Sequence, residues 1–313
     1  MKTLLITGSA GYIGSVVCKL AKEKGYKVIA VDLERHKHNY YDVKIDGMCC
    51  SDPKVAMVAV DYKVDAVFHL AASANITDSL TRPLLYYQNN TGATAKMFDN
   101  LIMLGWRGNI VFSSTAAAYE VSGGPVVETD PTGPINAYGR SKLMCEQLLY
   151  EVYKAHQIPV TVFRYFNVAG AYGDVGDHKD SHHVLQKLCS AMQLNREFYV
   201  CGTDYDTPDG TCVRDYIHVL DIAAAHFHAL NHHTSPSYDL YNLGTYHGVS
   251  VKELADKFQA TVGGQLKVVD TVRRPGDQAF MVANPEKFTR TGFKFKHSTM
   301  EEIICSAWKH YRS

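Results

Sequence analysis

The sequence predicts an α/β protein built on a doubly wound parallel sheet, with a second, smaller α/β domain. Three observations carry this. The first half alternates short β-branched runs with longer helical patterns, the alternation of a parallel sheet covered on both faces. A glycine-rich loop stands between the first such run and the first helix. After about residue 167 the alternation gives way to loops rich in Gly, Asp and Pro with scattered short elements.

Taken in order, Thr3–Thr7 reads as the first strand, and Tyr12–Lys24 as a helix with Ile13, Val16, Val17 and Leu20 at helical spacing. Strands are expected at Lys27–Val31, Asp65–Leu70, Ile110–Ser113 and Val160–Phe166, and a further strand is expected to end at Asp46. Long helices are expected over Ser79–Leu104 and Ala137–His156. Parallel crossovers are right-handed almost without exception, which makes the sheet doubly wound. In the second half, helices are expected at 183–194, 218–230, 250–261 and 299–311, and short strands near 198–200, 239–242 and 266–269. The first domain is expected to span 1–167 with a returning segment at about 216–245, and the second 168–215 and 246–313.

Composition narrows the function. The 313 residues hold 32 basic and 32 acidic side chains, so no basic excess points to nucleic acid or an anionic membrane surface. No apolar run approaches the length a membrane helix needs, and the N-terminus runs straight into the glycine loop rather than a signal peptide. Eight cysteines without a C-x-x-C pair read as free thiols in a reducing cytoplasm. Among 15 histidines, the pairs His36/His38, His182/His183 and His232/His233 lack any metal-binding motif and read as surface or loop residues. No metal is expected.

The loop is Thr7-Gly8-Ser9-Ala10-Gly11-Tyr12-Ile13-Gly14. Gly8 allows the tight turn, Gly11 the approach of a pyrophosphate and Gly14 close helix–strand packing, while the helix N-terminus presents free N–H groups to phosphate. Asp32, ending the second strand, suits the two hydroxyls of an adenosine ribose and would repel a 2′-phosphate, which favours NAD over NADP, although Arg35 lies close by. Asp46 is a candidate for the adenine. The sheet is therefore expected to be Rossmann-type, with Gly8, Gly11, Tyr12, Ile13, Gly14, Asp32 and Asp46 at the cofactor.

Tyr138-Gly139-Arg140-Ser141-Lys142 opens a predicted helix and puts Tyr138 and Lys142 on one face. A free phenol ionises near pH 10. A neighbouring ammonium and the positive end of a nicotinamide both favour the phenolate, so the tyrosine can serve as a base. Upstream, a strand ends Phe112-Ser113-Ser114-Thr115. The glycine spacing and these three elements together resemble the extended short-chain dehydrogenase/reductases. That resemblance gives Thr115 the bond to the reacting hydroxyl, with Ser114 as the alternative, and lets Lys142 hold the nicotinamide ribose.

Over nearly its whole length the chain resembles the UDP-glucose 4-epimerase family of nucleotide-sugar epimerases. The densest match is Gly202–Val219, containing Arg214-Asp215-Tyr216-Ile217-His218; Arg164-Tyr165-Phe166-Asn167-Val168-Ala169-Gly170, Tyr241-Asn242-Leu243-Gly244 and Arg273-Arg274-Pro275-Gly276-Asp277 match further stretches. The resemblance implies Tyr165 at the cofactor, Asn167, His182, Arg214, Tyr216 and Arg274 at the sugar diphosphate, and Asp277 at the uridine ribose. It also implies backbone bonds from 198–201 to the uracil. Met281 falls where a bulky Tyr restricts relatives to simple hexoses, so broader tolerance, including N-acetyl sugars, is expected. A homodimer through the two long helices is implied as well.

The chain departs from the pattern at Leu33–Tyr41, which is short and could leave the adenosine side more open, and at Glu120, where relatives carry glycine. A 4,6-dehydratase on the same scaffold would need an acid–base pair after the Ser/Thr, where Ala116-Ala117 stands. An epimerase of another nucleotide sugar, such as a UDP-uronic acid, stays open. A catalytically dead dinucleotide sensor would commonly have lost Tyr138 or Lys142.

Overall fold

The computed structural model describes residues 1–120, 123–232 and 236–313; His233, one member of a histidine pair named above, lies outside them. The chain forms two compact units, one comprising Met1–Glu120, Thr132–Arg164 and Ala223–Tyr241, the other Val121–Pro131, Tyr165–Ile222 and Asn242–Ser313.

The first unit runs β1 (Thr3–Thr7), α1 (Tyr12–Glu23), β2 (Lys27–Asp32), β3 (Val43–Asp46), α2 (Pro53–Asp61), β4 (Ala66–His69), α3 (Ile76–Thr81), α4 (Pro83–Tyr86), a π-helical turn (Tyr87–Gly92), α5 (Ala93–Met103), β5 (Asn109–Thr115), α6 (Ala137–His156) and β6 (Val160–Tyr165). Its sheet has seven strands once β12 (Tyr238–Leu243) is added, in the order β3-β2-β1-β4-β5-β6-β12. Strands β3, β2, β1, β4 and β5 pair in parallel. The order reverses between β1 and β4, the point outside whose strand ends such sheets bind nucleotides. Every residue of β1, β4 and β6 is buried, the continuous apolar run expected where helices cover both faces. On one face Leu5, Ile29, Val31, Val67 and Phe112 pack against Val55, Phe98, Leu101 and Leu149 of the helices.

Two expectations needed correction. The helix expected over Ser79–Leu104 is divided into α3, α4, the π turn and α5. Pro83 cannot donate to the preceding turn and so starts a new helix at its own first position. Helix α2 was not expected from the sequence; Asp52 caps it by accepting from the Lys54 N–H at 2.9 Å, and Pro53 sits at its start.

The second unit contains β7 (Asn167–Ala169), a small hairpin of β8 (Ala171–Tyr172) and β9 (Val175–Gly176), α7 (Val184–Leu194), β10 (Glu197–Cys201), β11 (Val213–His218), β13 (Gly248–Ser250), α9 (Val251–Val262), β14 (Lys267–Thr271), β15 (Phe280–Met281), α10 (Glu286–Thr289) and α11 (Met300–Arg312); α8 (Val219–His232) begins within it. Strand β11 is the hub. It pairs with β7, β13 and β15, and the register sets Arg214 opposite Met281 and Tyr216 opposite Asn167. Leu188, Phe258, Ile303 and Ile304 form the centre of this unit's core.

Candidate active site

In the first unit the glycine loop is shaped by close approach. A Cβ on Gly14 would stand 2.0 Å from the Gly8 carbonyl oxygen, so only glycine lets α1 start against the loop. Gly11 is the N-cap of α1 and supplies no side-chain acceptor to the first turn, the arrangement of helix starts that bind anions. Asp32 ends β2, its carboxylate accepting from the Ala10 N–H at 2.8 Å and the Glu34 N–H at 2.9 Å. An acidic side chain held rigid beside the loop fits a ribose diol. Asp46 ends β3, bonded to His36 and within 3.2 Å of Lys44. Tyr12 and Ile13 form the first turn of α1, and Tyr165 closes β6 in a buried position.

The catalytic candidates meet where β5 ends and α6 begins. Asn136 caps α6 by accepting from the Gly139 N–H at 2.8 Å. A Cβ on Gly139 would lie 2.3 Å from the Ala117 carbonyl oxygen, so this glycine brings the first turn of α6 onto the turn that follows β5. The contact sets the Tyr138 phenol near Thr115, whose side chain acts on it. The Thr115 oxygen also accepts from the Ala117 N–H at 3.1 Å.

Burial raises the Tyr138 phenol above its ordinary value, and Thr115 pulls it partly back. Lys142, one turn along, donates to the Ser113 carbonyl at 2.6 Å and lies 4.7 Å from the centre of the Phe112 ring. Burial lowers its ammonium to about 8, against the raising influence of Cys145 and Glu146. The expected acidifying contact between lysine and phenol is therefore not the dominant effect. The side chain that acts on the phenol is Thr115, and what holds the lysine is the backbone of β5.

Ser114, the alternative hydroxyl, is committed elsewhere. Its oxygen donates to Glu146, whose carboxylate also receives Arg164 through Nε at 3.0 Å and Nη2 at 2.6 Å. All three residues are buried, and the Arg164 guanidinium lies 4.4 Å from the Tyr119 ring centre. Sequence reading missed Glu146, although it lies on the same helix face as Tyr138 and Lys142, one turn further on. Also missed was a buried polar chain beneath the site. His69 joins Thr7 at 2.7 Å to Thr94 at 2.8 Å, and Thr94 donates to the Asn90 carbonyl. Asn90, in the π turn, donates to Ser141 at 2.9 Å and Ser141 to the Tyr138 carbonyl at 2.8 Å. Burial, with the Lys142 charge adding to it, lowers His69 to about 3, so it stays neutral.

In the second unit, Arg214 and Tyr216 lie on β11 and Asn167 on β7. Among the described residues Arg274 reaches only the Cys201 sulfur, at 3.8 Å, and it lies in the field of Lys187 on α7, whose ammonium is lowered first by burial and then by Arg274. Asp277 acts on the same lysine. Arg273, by contrast, is paired with Asp204 at 2.7 Å and stacked 4.1 Å from the centre of the Tyr205 ring. Met281 is buried in β15, and His182 is exposed in the segment before α7.

Tyr216 lies on β11 with its side chain buried. Its ring belongs to the apolar core, and its buried hydroxyl finds no partner among the described residues. Asp215 is buried and serves structure, accepting from Thr245, Tyr246 and Ala283. His69, His218 and His226, outside the histidine pairs named above, are buried within β4, β11 and α8 rather than set in surface loops, and His36 lies in a loop with its ring buried.

Among the described residues no cluster could hold a metal ion, and no helix is long and apolar enough to cross a membrane. The NAD dependent epimerase/dehydratase family matches residues 4–244. The chain is 38% identical to a UDP-glucose 4-epimerase of Azospirillum brasilense, over 99% of this chain and 92% of that one. A solved UDP-glucose 4-epimerase of Stenotrophomonas maltophila, with bound NAD and formylated UDP-arabinopyranose, is 32% identical with a TM-score of 0.93, covering 100% of this chain and 98% of that one. Another from Bifidobacterium longum, in complex with NAD+ and UDP, is 31% identical with a TM-score of 0.90, covering 99% and 98%.

Proposed function

We infer that this chain, which belongs to the NAD dependent epimerase/dehydratase family, is an NAD-dependent 4-epimerase of UDP-hexoses. The single observation that carries the reading is the start of α6, where Gly139 packs on the turn after β5 and brings Tyr138, with Lys142 one helical turn along, to the end of the strand that closes in Thr115, in the unit that bears the glycine loop. NAD, bound there, would supply the hydride acceptor and donor that inversion at the sugar C4 requires.

The protein's own residues do the rest. The α1 N-terminus and glycine loop hold the pyrophosphate, and Asp32 the adenosine ribose. Tyr138 takes the proton of the 4-hydroxyl as the 4-keto sugar forms and gives it back when the hydroxyl is re-formed. Thr115 orients that hydroxyl and stabilises the charge on the phenol oxygen. Lys142 keeps N–H groups beyond those used on Ser113 for the nicotinamide ribose. Arg214 and Arg274 grip the diphosphate, with Asn167 and His182 beside it and Asp277 at the uridine ribose. The sugar, less tightly held, turns about its phosphate linkage. Inversion requires that asymmetry, because a hexose clamped in one pose would be re-formed unchanged.

The free thiols fit a reducing cytoplasm. Leu80, Leu84, Met144 and Tyr150, exposed on helices of the first unit, fit a homodimer. The test is Tyr138→Phe. Turnover of UDP-galactose is expected to fall about a hundredfold or more, with NAD content retained. A variant that keeps wild-type turnover refutes the reading.

A further inference from the structure

The segment after β2, which the sequence suggested would leave the adenosine side open, instead folds His36 inward. Its side chain is 4% exposed. Nδ1 bonds the Asp46 carboxylate at the end of β3, and Nε2 lies 2.7 Å from the Ser9 hydroxyl oxygen in the glycine loop after β1. That hydroxyl is in turn 3.0 Å from the Val31 carbonyl near the end of β2. Tyr41 packs edge-on against the imidazole at 5.3 Å. One ring thus ties together the C-terminal ends of three adjacent strands, where a dinucleotide's adenosine half rests in such sheets.

We propose that His36 is a positioning residue for the adenosine half of NAD, fixing the glycine loop and Asp46 relative to Asp32. The role rests on the reading that these strand ends hold NAD. It does not depend on the ring's charge. In the neutral ring Nδ1–H donates to Asp46 and Nε2 accepts from Ser9; in the charged ring both nitrogens donate and Ser9 turns its proton to Val31. Either way the three ends stay joined. The carboxylate of Asp46 is occupied by the histidine on one oxygen and faced by Lys44 on the other, so its part at the adenine runs through a geometry that His36 sets.

The experiment measures dissociation constants of NAD, ADP-ribose, nicotinamide mononucleotide and UDP for the wild type, His36→Leu and His36→Asn, with melting temperatures. His36→Leu is expected to weaken NAD and ADP-ribose about tenfold, the loss of roughly one hydrogen bond to a charged group. Affinities for nicotinamide mononucleotide and UDP are expected to stay within about twofold. His36→Asn, whose amide can reproduce the arm to Asp46, should recover much of the loss. The proposal is overturned if His36→Leu binds ADP-ribose as the wild type does, if Asn rescues no better than Leu, or if all four affinities fall together with the melting temperature. A wild type that binds no ADP-ribose overturns the NAD reading itself, whereas a wild type that binds it beside an indifferent variant overturns only the role of His36.

Discussion

Thr115 and Ser114 are adjacent hydroxyls with opposite expected phenotypes. Thr115→Val removes the hydroxyl that meets Tyr138 while keeping the side chain's shape. It also removes the acceptor for the Ala117 N–H. Turnover is expected to fall about a hundredfold or more, with about 1 kcal/mol lost from the local cap. Thr115→Ser should return activity close to wild type. Ser114→Ala instead strips one bond from a buried carboxylate that keeps both of its bonds to Arg164. A hydrogen bond to a charged group contributes about 1.5–3 kcal/mol. The surviving ion pair places this loss at the low end, about 1.5–2 kcal/mol, or a melting-temperature decrease of roughly 2–3 °C for a chain of this size. A coupled assay of UDP-galactose conversion beside calorimetry reads both quantities. The opposite pattern, with Ser114→Ala inactive at unchanged melting temperature and Thr115→Val active, would refute the assignment of the two oxygens.

His69 predicts a specific acid sensitivity. Its folded value of about 3 lies below the unfolded 6.5, so the unfolded chain binds the extra proton and stability falls as pH drops below 6.5. At about pH 4.5 the loss is about 2.7 kcal/mol, and denaturant titrations should show His69→Gln with a correspondingly shallower decline between about pH 7 and 4.5; parallel declines would refute it. At Met281, buried in β15 opposite Arg214, Met281→Tyr is expected to lower kcat/KM for UDP-N-acetylglucosamine by about tenfold or more relative to UDP-glucose. An unchanged ratio would remove Met281 from the sugar pocket.

Much of the first unit was legible because its strands are buried on both faces and its glycines stand where backbone meets backbone. Gly14 and Gly139 would each drive a Cβ into a carbonyl oxygen, so the sequence had to mark both places. The break in the helix expected after residue 79 was missed although Pro83 announces it, because apolar periodicity continues across the proline. Glu146 could have been found by extending the Tyr138–Lys142 face one more turn. His36 could not, because its importance depends on the side-chain oxygens of Ser9 and Asp46, brought together by strands far apart in sequence. Nor does a string of letters decide between Ser114 and Thr115; the alternation of a strand sends them to opposite faces, and only the partners reveal which face meets the phenol.

The pair Arg273-Arg274 shows how partners separate a cation engaged within the fold from one proposed to bind substrate. Sequence gives both the same charge and nearly the same place. In the folded unit Arg273 is satisfied by Asp204 and by the Tyr205 ring, so any anion it bound would have to displace a carboxylate. Among the described residues Arg274 has no carboxylate in hydrogen-bond range; it reaches only the Cys201 sulfur and repels the Lys187 ammonium. Like charges held together lose stability unless something negative answers them. Asp277 answers part of that charge at Lys187, and on the proposed reading a nucleoside diphosphate would answer the rest without exchange for an ion pair of Arg274. The same reasoning gives the proposed mechanism its weak hold on the sugar. The cations would act on phosphate charge, which the hexose lacks, so the grip would fall on the part of the substrate that must stay still while the rest turns over.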